Sequence, residues 1–212
     1  MLLIFKMKNF LIPIFLFMGM SVYAQDWAGY SVGELYPGYI IKKDGTKIEG
    51  YLEGQELATS SDSPFGNSNQ SRVVFFTDHK NKKTKVIYKP EELIEYQIAD
   101  KIYHTVNYSG GLSSKALRFL LLVKDGAIAQ YLWYDKVQTY PRTEYENKIV
   151  YQKKGGKTFD GTVLIGFAKK MSEIVSDYPE LSKKIADKEK GYGVTDIDKI
   201  IEEYNKWTTD QE

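Results

Sequence analysis

Cysteine is missing from this chain of 212 residues, and histidine occurs only as His79 and His104. Without thiols the protein forms no disulfides, thiolate metal sites or cysteine nucleophiles, and it lacks the acylated cysteine of a bacterial lipoprotein. Two histidines so far apart give none of the spacings typical of zinc sites. We therefore expect no metal and no cofactor, and a fold that is stabilised by packing alone.

Neither sign of charge is in excess, since the chain has 29 basic and 28 acidic side chains. Binding to a polyanion requires a clear basic surplus, so nucleic acid is not an expected partner. Long apolar runs are also scarce. The uncharged, mostly apolar run from Phe10 to Met20 spans about 11 residues, whereas a membrane-spanning helix needs roughly 20.

The N-terminus has the layout of a secretory signal peptide. Lys6 and Lys8 precede the apolar run, and the small-residue exit Ser21-Val22-Tyr23-Ala24 follows it. We predict cleavage after Ala24 and export to the periplasm, the outer-membrane surface or the medium. Cleavage removes two lysines and leaves 27 of the 29 basic side chains against 28 acidic ones. We expect no integral membrane span in the mature chain.

Residues 38–160 have the alternating pattern of a β-rich region, preceded by an N-terminal extension at 25–37. Asp44-Gly45 between two alternating runs predicts a hairpin over 38–54. The polar segment from Gly54 to Ser71 is expected to be a long loop, either functional or disordered. Further strands are predicted at 72–76, 85–88, 94–99, 102–108, 117–123, 128–134, 149–152 and 158–159.

From residue 163 onward the apolar period changes from two to 3.6, which predicts a helical region over 161–212. Phe167, Met171 and Val175 share one helical stripe. Pro179 is suited to open a second helix, and Thr195 with Asp198 predicts a capping box before a third.

Together these patterns predict one α+β domain. An antiparallel β-meander of about eight to ten strands, or a small bent barrel plus a sheet, would be followed by two to three packed C-terminal helices. The strand order with its long loop is typical of small five-stranded barrels, but this is an analogy of order alone.

An aromatic cluster is the leading candidate for a binding site. Tyr131 and Trp133 lie two apart and share one face of a predicted strand, with Tyr140 and Arg142 close behind in sequence. If that face is open, the rings can stack on a sugar or grip a peptide. The alternative is that the C-terminal helices cover the face and that both rings belong to the core.

Catalytic signals are weak. Gly155-Gly156-Lys157-Thr158 lacks the first glycine of a phosphate-binding loop, because Tyr151 stands there. His104 and the serines of the Ser109–Ser114 region are the least implausible hydrolytic centre, although no nucleophile motif surrounds them. We assign no catalytic residue.

Several short motifs resemble those of small exported proteins of Bacteroidota. They are Phe167-x-x-x-Met171, Asp177-Tyr178-Pro179-Glu180-Leu181, Lys184-Ile185, Glu203-Tyr204-Asn205, Gly38-Tyr39-Ile40-Ile41, Gly45, Gly50-Tyr51 and Ala24-Gln25. Many of those proteins would have cysteine where this chain has Tyr178. The group has no established activity, so the resemblance implies export and this organisation but no chemistry.

The expected function is therefore that of an exported, non-enzymatic binding or assembly protein of the bacterial envelope, with a protein, peptide or glycan as ligand. One alternative is a hydrolase of an envelope polymer that uses His104 and the Ser109–Ser114 region. A second is a structural subunit of an outer-membrane-associated complex.

Overall fold

The structure is a computed structural model that describes residues 31, 33–54, 70–108, 117–139, 142–160 and 166–211. The signal-peptide prediction and most of the predicted loop after Gly54 lie outside these residues. The strands are β1 (Leu35–Lys42), β2 (Lys47–Glu53), β3 (Val73–Phe76), β4 (Lys85–Tyr88), β5 (Leu93–Ile98), β6 (Lys101–Asn107), β7 (Leu117–Lys124), β8 (Ile128–Thr139), β9 (Arg142–Lys153) and β10 (Thr158–Asp160). The helices are α1 (Phe167–Ile174), α2 (Pro179–Ala186) and α3 (Ile197–Thr209), with short 3₁₀ turns at Lys82–Thr84 and Val194–Asp196.

All ten strands form one open antiparallel sheet in the order β10-β9-β8-β7-β6-β5-β1-β2-β3-β4. This arrangement and the three C-terminal helices confirm the predicted α+β fold. The order departs from a simple meander at one place, where β5 returns across the first hairpin to pair with β1. The crossover joins two meanders, β1 to β4 and β5 to β10, into a single sheet.

The first hairpin forms around Asp44-Gly45 as predicted. Of the two turn residues only Gly45 has a positive φ, +85°, and Asp44 accepts a hydrogen bond from the Thr46 amide at 2.9 Å. β1 begins at Leu35, earlier than the alternating pattern suggested. Pro37 is tolerated inside the strand because it lies at the end of the pairing with β5. Its carbonyl accepts from the Ala99 amide at 2.9 Å, and the Ala99 carbonyl accepts from the Gln97 side chain at 2.6 Å, so the missing N–H leaves no acceptor there without a donor.

The hairpin of β8 and β9 is longer than its apolar pattern indicated. β8 pairs with β7 as far as Leu132, and then pairs with β9 alone down to Thr139 opposite Arg142. The prediction ended at residue 134 because the following residues are polar and charged. In this part of the hairpin the pairing of two neighbouring strands, rather than an apolar face, defines the strands.

The two halves of the sheet bury opposite faces. One face carries a core around Ile40, Tyr96 and Phe119, and the other face carries a core around Leu120 and Val150. β7 contributes to both, because Phe119 and Leu121 are buried on one face and Leu120 on the other.

The sheet curls around the second core. The Thr158 hydroxyl on β10 donates a hydrogen bond to the Asn107 carbonyl at the end of β6, at 2.9 Å, although three strands separate them in the sheet. The face opposite this core is then left for the helices.

The helices pack on that outer face of β8, β9 and β10. Met171, Leu181, Ile200 and Tyr204 are buried there, together with Tyr151 from the sheet. Met171 lies on the apolar stripe predicted for the first helix.

One side chain fixes the last helix to a strand. The Asn205 amide oxygen accepts from the Ile128 backbone N–H at 2.7 Å, and its NH₂ group donates to the Ile128 carbonyl at 3.0 Å. The amide thus pairs with β8 as another strand would.

The predicted capping box of Thr195 and Asp198 is wrong. A 3₁₀ turn precedes α3, so Asp196 reaches back and accepts from the Gly193 amide at 3.0 Å. Asp198 instead accepts a hydrogen bond from the Tyr151 hydroxyl at 3.1 Å. No helix among the described residues has the length and apolar character needed to cross a bilayer.

Candidate functional site

The outward face of β2, β1 and β5 carries a grid of side chains that the core leaves exposed or half-buried. The pairing of the strands sets three rows across them, each with one residue per strand. From β2 through β1 to the β5 side, the rows are Lys47, Ile41 and Glu95; Glu49, Tyr39 and Gln97; and Tyr51, Pro37 and Ala99. Directly opposite residues on neighbouring strands lie about 4.5–5.5 Å apart, so each row is continuous.

A groove of about 630 Å³ runs over this grid. Its lining is Pro37, Gly38, Tyr39, Lys47, Glu49, Gly50, Tyr51, Thr77, Gln97 and Ala99. This volume lies in the range of ligand-binding pockets, roughly 300–1,000 Å³. The groove combines aromatic rings with a cation, a carboxylate and an amide, which suits noncovalent recognition of a polar ligand. We call it the β1–β2–β5 groove.

A chain of hydrogen bonds anchors Tyr39 from behind the groove. The Tyr39 hydroxyl donates to Glu95 Oε1 at 2.6 Å, and Glu95 Oε2 lies 3.1 Å from His104 Nε2. On the other side of the imidazole, Nδ1 lies 3.0 Å from the Tyr131 hydroxyl. Because a carboxylate only accepts, Nε2 carries the proton, and a neutral imidazole then accepts from Tyr131 through Nδ1.

Within this series of hydrogen bonds, the surroundings keep Tyr39 and Tyr131 neutral and the Glu95 carboxylate charged. Burial, strengthened by the bond to Glu95, raises the pKa of Tyr39 to about 12. Burial, together with the negative charges of Asp125 and Glu95, also raises the pKa of Tyr131 to about 12. The hydrogen bond from His104 is the main reason why the pKa of Glu95 lies below its ordinary value.

Glu95→Gln should reveal this linkage as a stability difference that depends on pH. A carboxyl whose pKa is lowered by folding contributes stability that is present above its unfolded pKa, about 4.3, and is lost as the pH falls through the folded value. At neutral pH we expect the free energy of unfolding of wild type to exceed that of the variant by about 2 kcal/mol, the range for a hydrogen bond to a charged group. Below about pH 4 this difference should shrink. Urea denaturation at both pH values measures it, and a difference independent of pH would contradict the linkage.

Tyr131 and Trp133 share a face of β8 as predicted, but the face belongs to the second core. Tyr131 is only 4% exposed, and its ring meets His104 edge-on rather than solvent. Trp133 is half-buried against Tyr108, with the Arg118 guanidinium 5.8 Å from its ring. The indole N–H is buried and finds no hydrogen-bond acceptor among the described residues.

The alternative explanation, that the helices cover these two rings, also differs from the structure. The helices pack on the opposite face, against Tyr151 and Ile128. Tyr131 is instead buried by neighbouring strands in the core that includes Leu120 and Val150. Of the other predicted binding residues, Tyr140 lies outside the described residues, and Arg142 is described only by its backbone pairing with Thr139.

His104 is poorly placed to act as a general base. Both of its ring nitrogens already have partners, Glu95 and Tyr131. A base needs one nitrogen within reach of the nucleophile's proton, and the hydroxyl in that position belongs to a buried tyrosine with a raised pKa. The Ser109–Ser114 region lies outside the described residues. Within those that are described, no three acidic or histidine side chains converge as a metal site would require.

The residues of the β1–β2–β5 groove escaped the sequence interpretation, although one signal was present. Lys47, Glu49 and Tyr51 alternate with Ile48, Gly50 and Leu52, which places every polar or aromatic side chain of β2 on one face. That pattern is also typical of an ordinary solvent-facing strand. Only the pairing with β1 and β5 adds Tyr39 and Gln97 and turns the face into a groove.

Comparison of the chain with protein-family models, curated proteins and solved structures gave no match. The resemblance to small exported proteins of Bacteroidota therefore stays a prediction.

Proposed function

We propose that this chain is an exported, non-enzymatic binding protein of the bacterial envelope and that the β1–β2–β5 groove is its contact surface. The layout of residues 1–24 supports export, with a mature chain that begins at Gln25. The observation that carries the binding function is the groove itself. Two tyrosines, a free carboxylate and a lysine line the outer side of strands whose inner side is fully packed.

Binding rather than catalysis is supported by the state of the polar groups. Tyr39 is held by Glu95 and has a pKa of about 12, so its hydroxyl is a poor nucleophile near neutral pH. Lys47 lies 3.8 Å from the centre of the Tyr39 ring and fixes that ring in place. Rigid, pre-positioned rings reduce the entropy that is lost when a ligand binds.

Tyr51→Ala should abolish retention of the natural ligand without unfolding the protein. Tyr51 is half-buried on the rim of the groove and contacts His79, with ring centres 4.5 Å apart. Immobilised residues 25–212, as wild type and variant, would be exposed to an envelope extract, and the retained material compared. We expect a component that wild type retains and Tyr51→Ala loses.

Tyr192→Ala is the matched control, because it removes a half-buried tyrosine beside the helices. It should retain the same component as wild type, and circular dichroism should show that all three proteins are folded. If Tyr51→Ala retains as much as wild type, the groove is not the contact surface, and a structural role through another face gains support. The first residue of the protein recovered from the envelope, expected to be Gln25, tests export.

A further inference from the structure

We infer that the β1–β2–β5 groove binds an uncharged glycan chain rather than a peptide or a polyanion. The inference rests on the proposed function, since it names the ligand class of the same groove. Three features of the groove support it: the pairing of the strands beneath it, its aromatic rings, and the balance of its charges.

The strands beneath the groove leave no free edge for a peptide. β1 pairs with β2 and β5, β2 pairs with β1 and β3, and β5 pairs with β1 and β6. An extended peptide gains much of its affinity by adding its main chain to an unpaired strand edge. Over these paired strands, hydrogen bonds to a ligand must come from side chains. A glycan, which carries hydroxyl groups on every side, can be bound in this way.

Tyr51 supplies a ring face for stacking. Tyr39 and Tyr51 point to the same side of neighbouring strands, on adjacent rows of the grid. The Lys47 ammonium lies over the Tyr39 ring, and the His79 ring lies against Tyr51. Each of the two tyrosines therefore has at most one ring face left for a ligand. The C–H face of a sugar ring, slightly positive, packs against the negative face of an aromatic ring.

The charged groups of the groove favour a neutral ligand with hydroxyl donors. Glu49 is exposed, and its carboxylate has no hydrogen-bond or ion-pair partner among the described residues. A free carboxylate accepts strongly from hydroxyls and repels an anionic ligand. Lys47 balances its charge, so the lining has no net attraction for a polyanion. Gln97 donates to the Ala99 carbonyl at 2.6 Å, and this bond leaves its amide oxygen as a further acceptor.

Titration calorimetry with defined oligosaccharides tests the inference on the mature chain. The probes are a neutral hexose oligomer (maltohexaose), a neutral N-acetylhexosamine oligomer (chitohexaose) and an acidic oligomer of galacturonic acid. We expect saturable binding of at least one neutral probe and none of the acidic one. Tyr51→Ala and Glu49→Gln should each weaken that binding roughly tenfold, as for the loss of a stacked ring or a charge-assisted hydrogen bond, while Tyr192→Ala should bind as wild type does.

Treatments of the envelope extract separate failure of this inference from failure of the proposed function. Periodate cleaves the vicinal diols of hexose units, and chitinase or lysozyme cleaves 1,4-linked N-acetylhexosamine polymers, which lack such diols. One of these glycan treatments should abolish retention by the wild-type groove, whereas protease treatment should not. If protease abolishes retention and no glycan treatment does, the ligand is a peptide and the glycan inference is overturned, although the groove still binds. Failure of both neutral probes, or tighter binding of the acidic one, also overturns it.

Discussion

Gly38→Ala is expected to destabilise the protein by about 3 kcal/mol or more, the upper range for overpacking. A Cβ atom at residue 38 would overlap the backbone carbonyl oxygen of Gln97 and would lie 2.8 Å from Leu52 Cδ1. Gly38 is paired on both sides, with Gly50 on β2 and Ile98 on β5. The backbone of β5 cannot rotate away as a side chain could, so the crossover pairing itself must shift. Thermal unfolding should show a fall in Tm of roughly 6–12 °C, at about 2–4 °C per kcal/mol for a chain of this size.

Gly45→Ala is the control for the glycine substitution. Its φ is +85° and nothing lies within 4 Å of the added Cβ, so only the left-handed backbone costs energy, about 1–2 kcal/mol. If Gly38→Ala destabilised the protein no more than Gly45→Ala does, the close approach of β1 and β5 would not explain why residue 38 must be glycine. Gly38→Ala should also distort the β1–β2–β5 groove, because Gly38 and Gln97 both line it.

Tyr204→Ala is expected to cost about 3–5 kcal/mol, the range for removing a buried aromatic side chain. Tyr204 is 1% exposed in the cluster that joins the helices to β8 and β9. Its hydroxyl donates to Asp177 Oδ2 at 2.7 Å, and the other oxygen of that carboxylate accepts from Lys153 of β9 at 2.8 Å. The substitution removes both the ring that packs α3 on the sheet and one partner of this link. Chemical denaturation followed by circular dichroism measures the loss.

Tyr204→Phe separates the two contributions. It keeps the ring and deletes only the hydroxyl, so we expect a loss of about 1.5 kcal/mol, the lower end of the range for a hydrogen bond to a charged group, because the Asp177 carboxylate is partly exposed. An effect as large as that of Tyr204→Ala would assign the helix attachment to the Asp177 link instead of to packing. Neither substitution touches the groove, so ligand retention by folded Tyr204→Phe should equal that of wild type.

The strands and helices were predictable where local sequence decides them. Asp44-Gly45 marked the first turn, and the stripe of Met171 and Val175 marked a packed helix, because side-chain periodicity reports directly which side is buried. The capping box of Thr195 and Asp198 failed because Asp196 instead caps a 3₁₀ turn before the helix, and Asp198 accepts from Tyr151, which is distant in sequence.

The candidate site was much less predictable. Glu95 and Tyr39 are 56 positions apart and His104 and Tyr131 are 27 apart. They meet only because β5 returns to β1 and because β7 lies between β6 and β8 in the sheet. His104 and Tyr131, which the sequence offered as a base and as a stacking ring, lie in a hydrogen-bonded chain behind Tyr39, with Tyr131 buried and His104 half-buried.

The sequence by itself determined the cysteine-free composition, the balanced charge and the alternation from strands to helices, because each is a property of single residues or of residues a few positions apart. Only the tertiary structure decided which face of each strand is buried. A strand with polar and apolar sides does not specify what covers it. Here β1 buries Ile40 on one face, whereas β8 buries Ile128 beneath the helices on one face and Tyr131 in the second core on the other. That choice buried Tyr131 and left Tyr39, Glu49 and Tyr51 to line a groove.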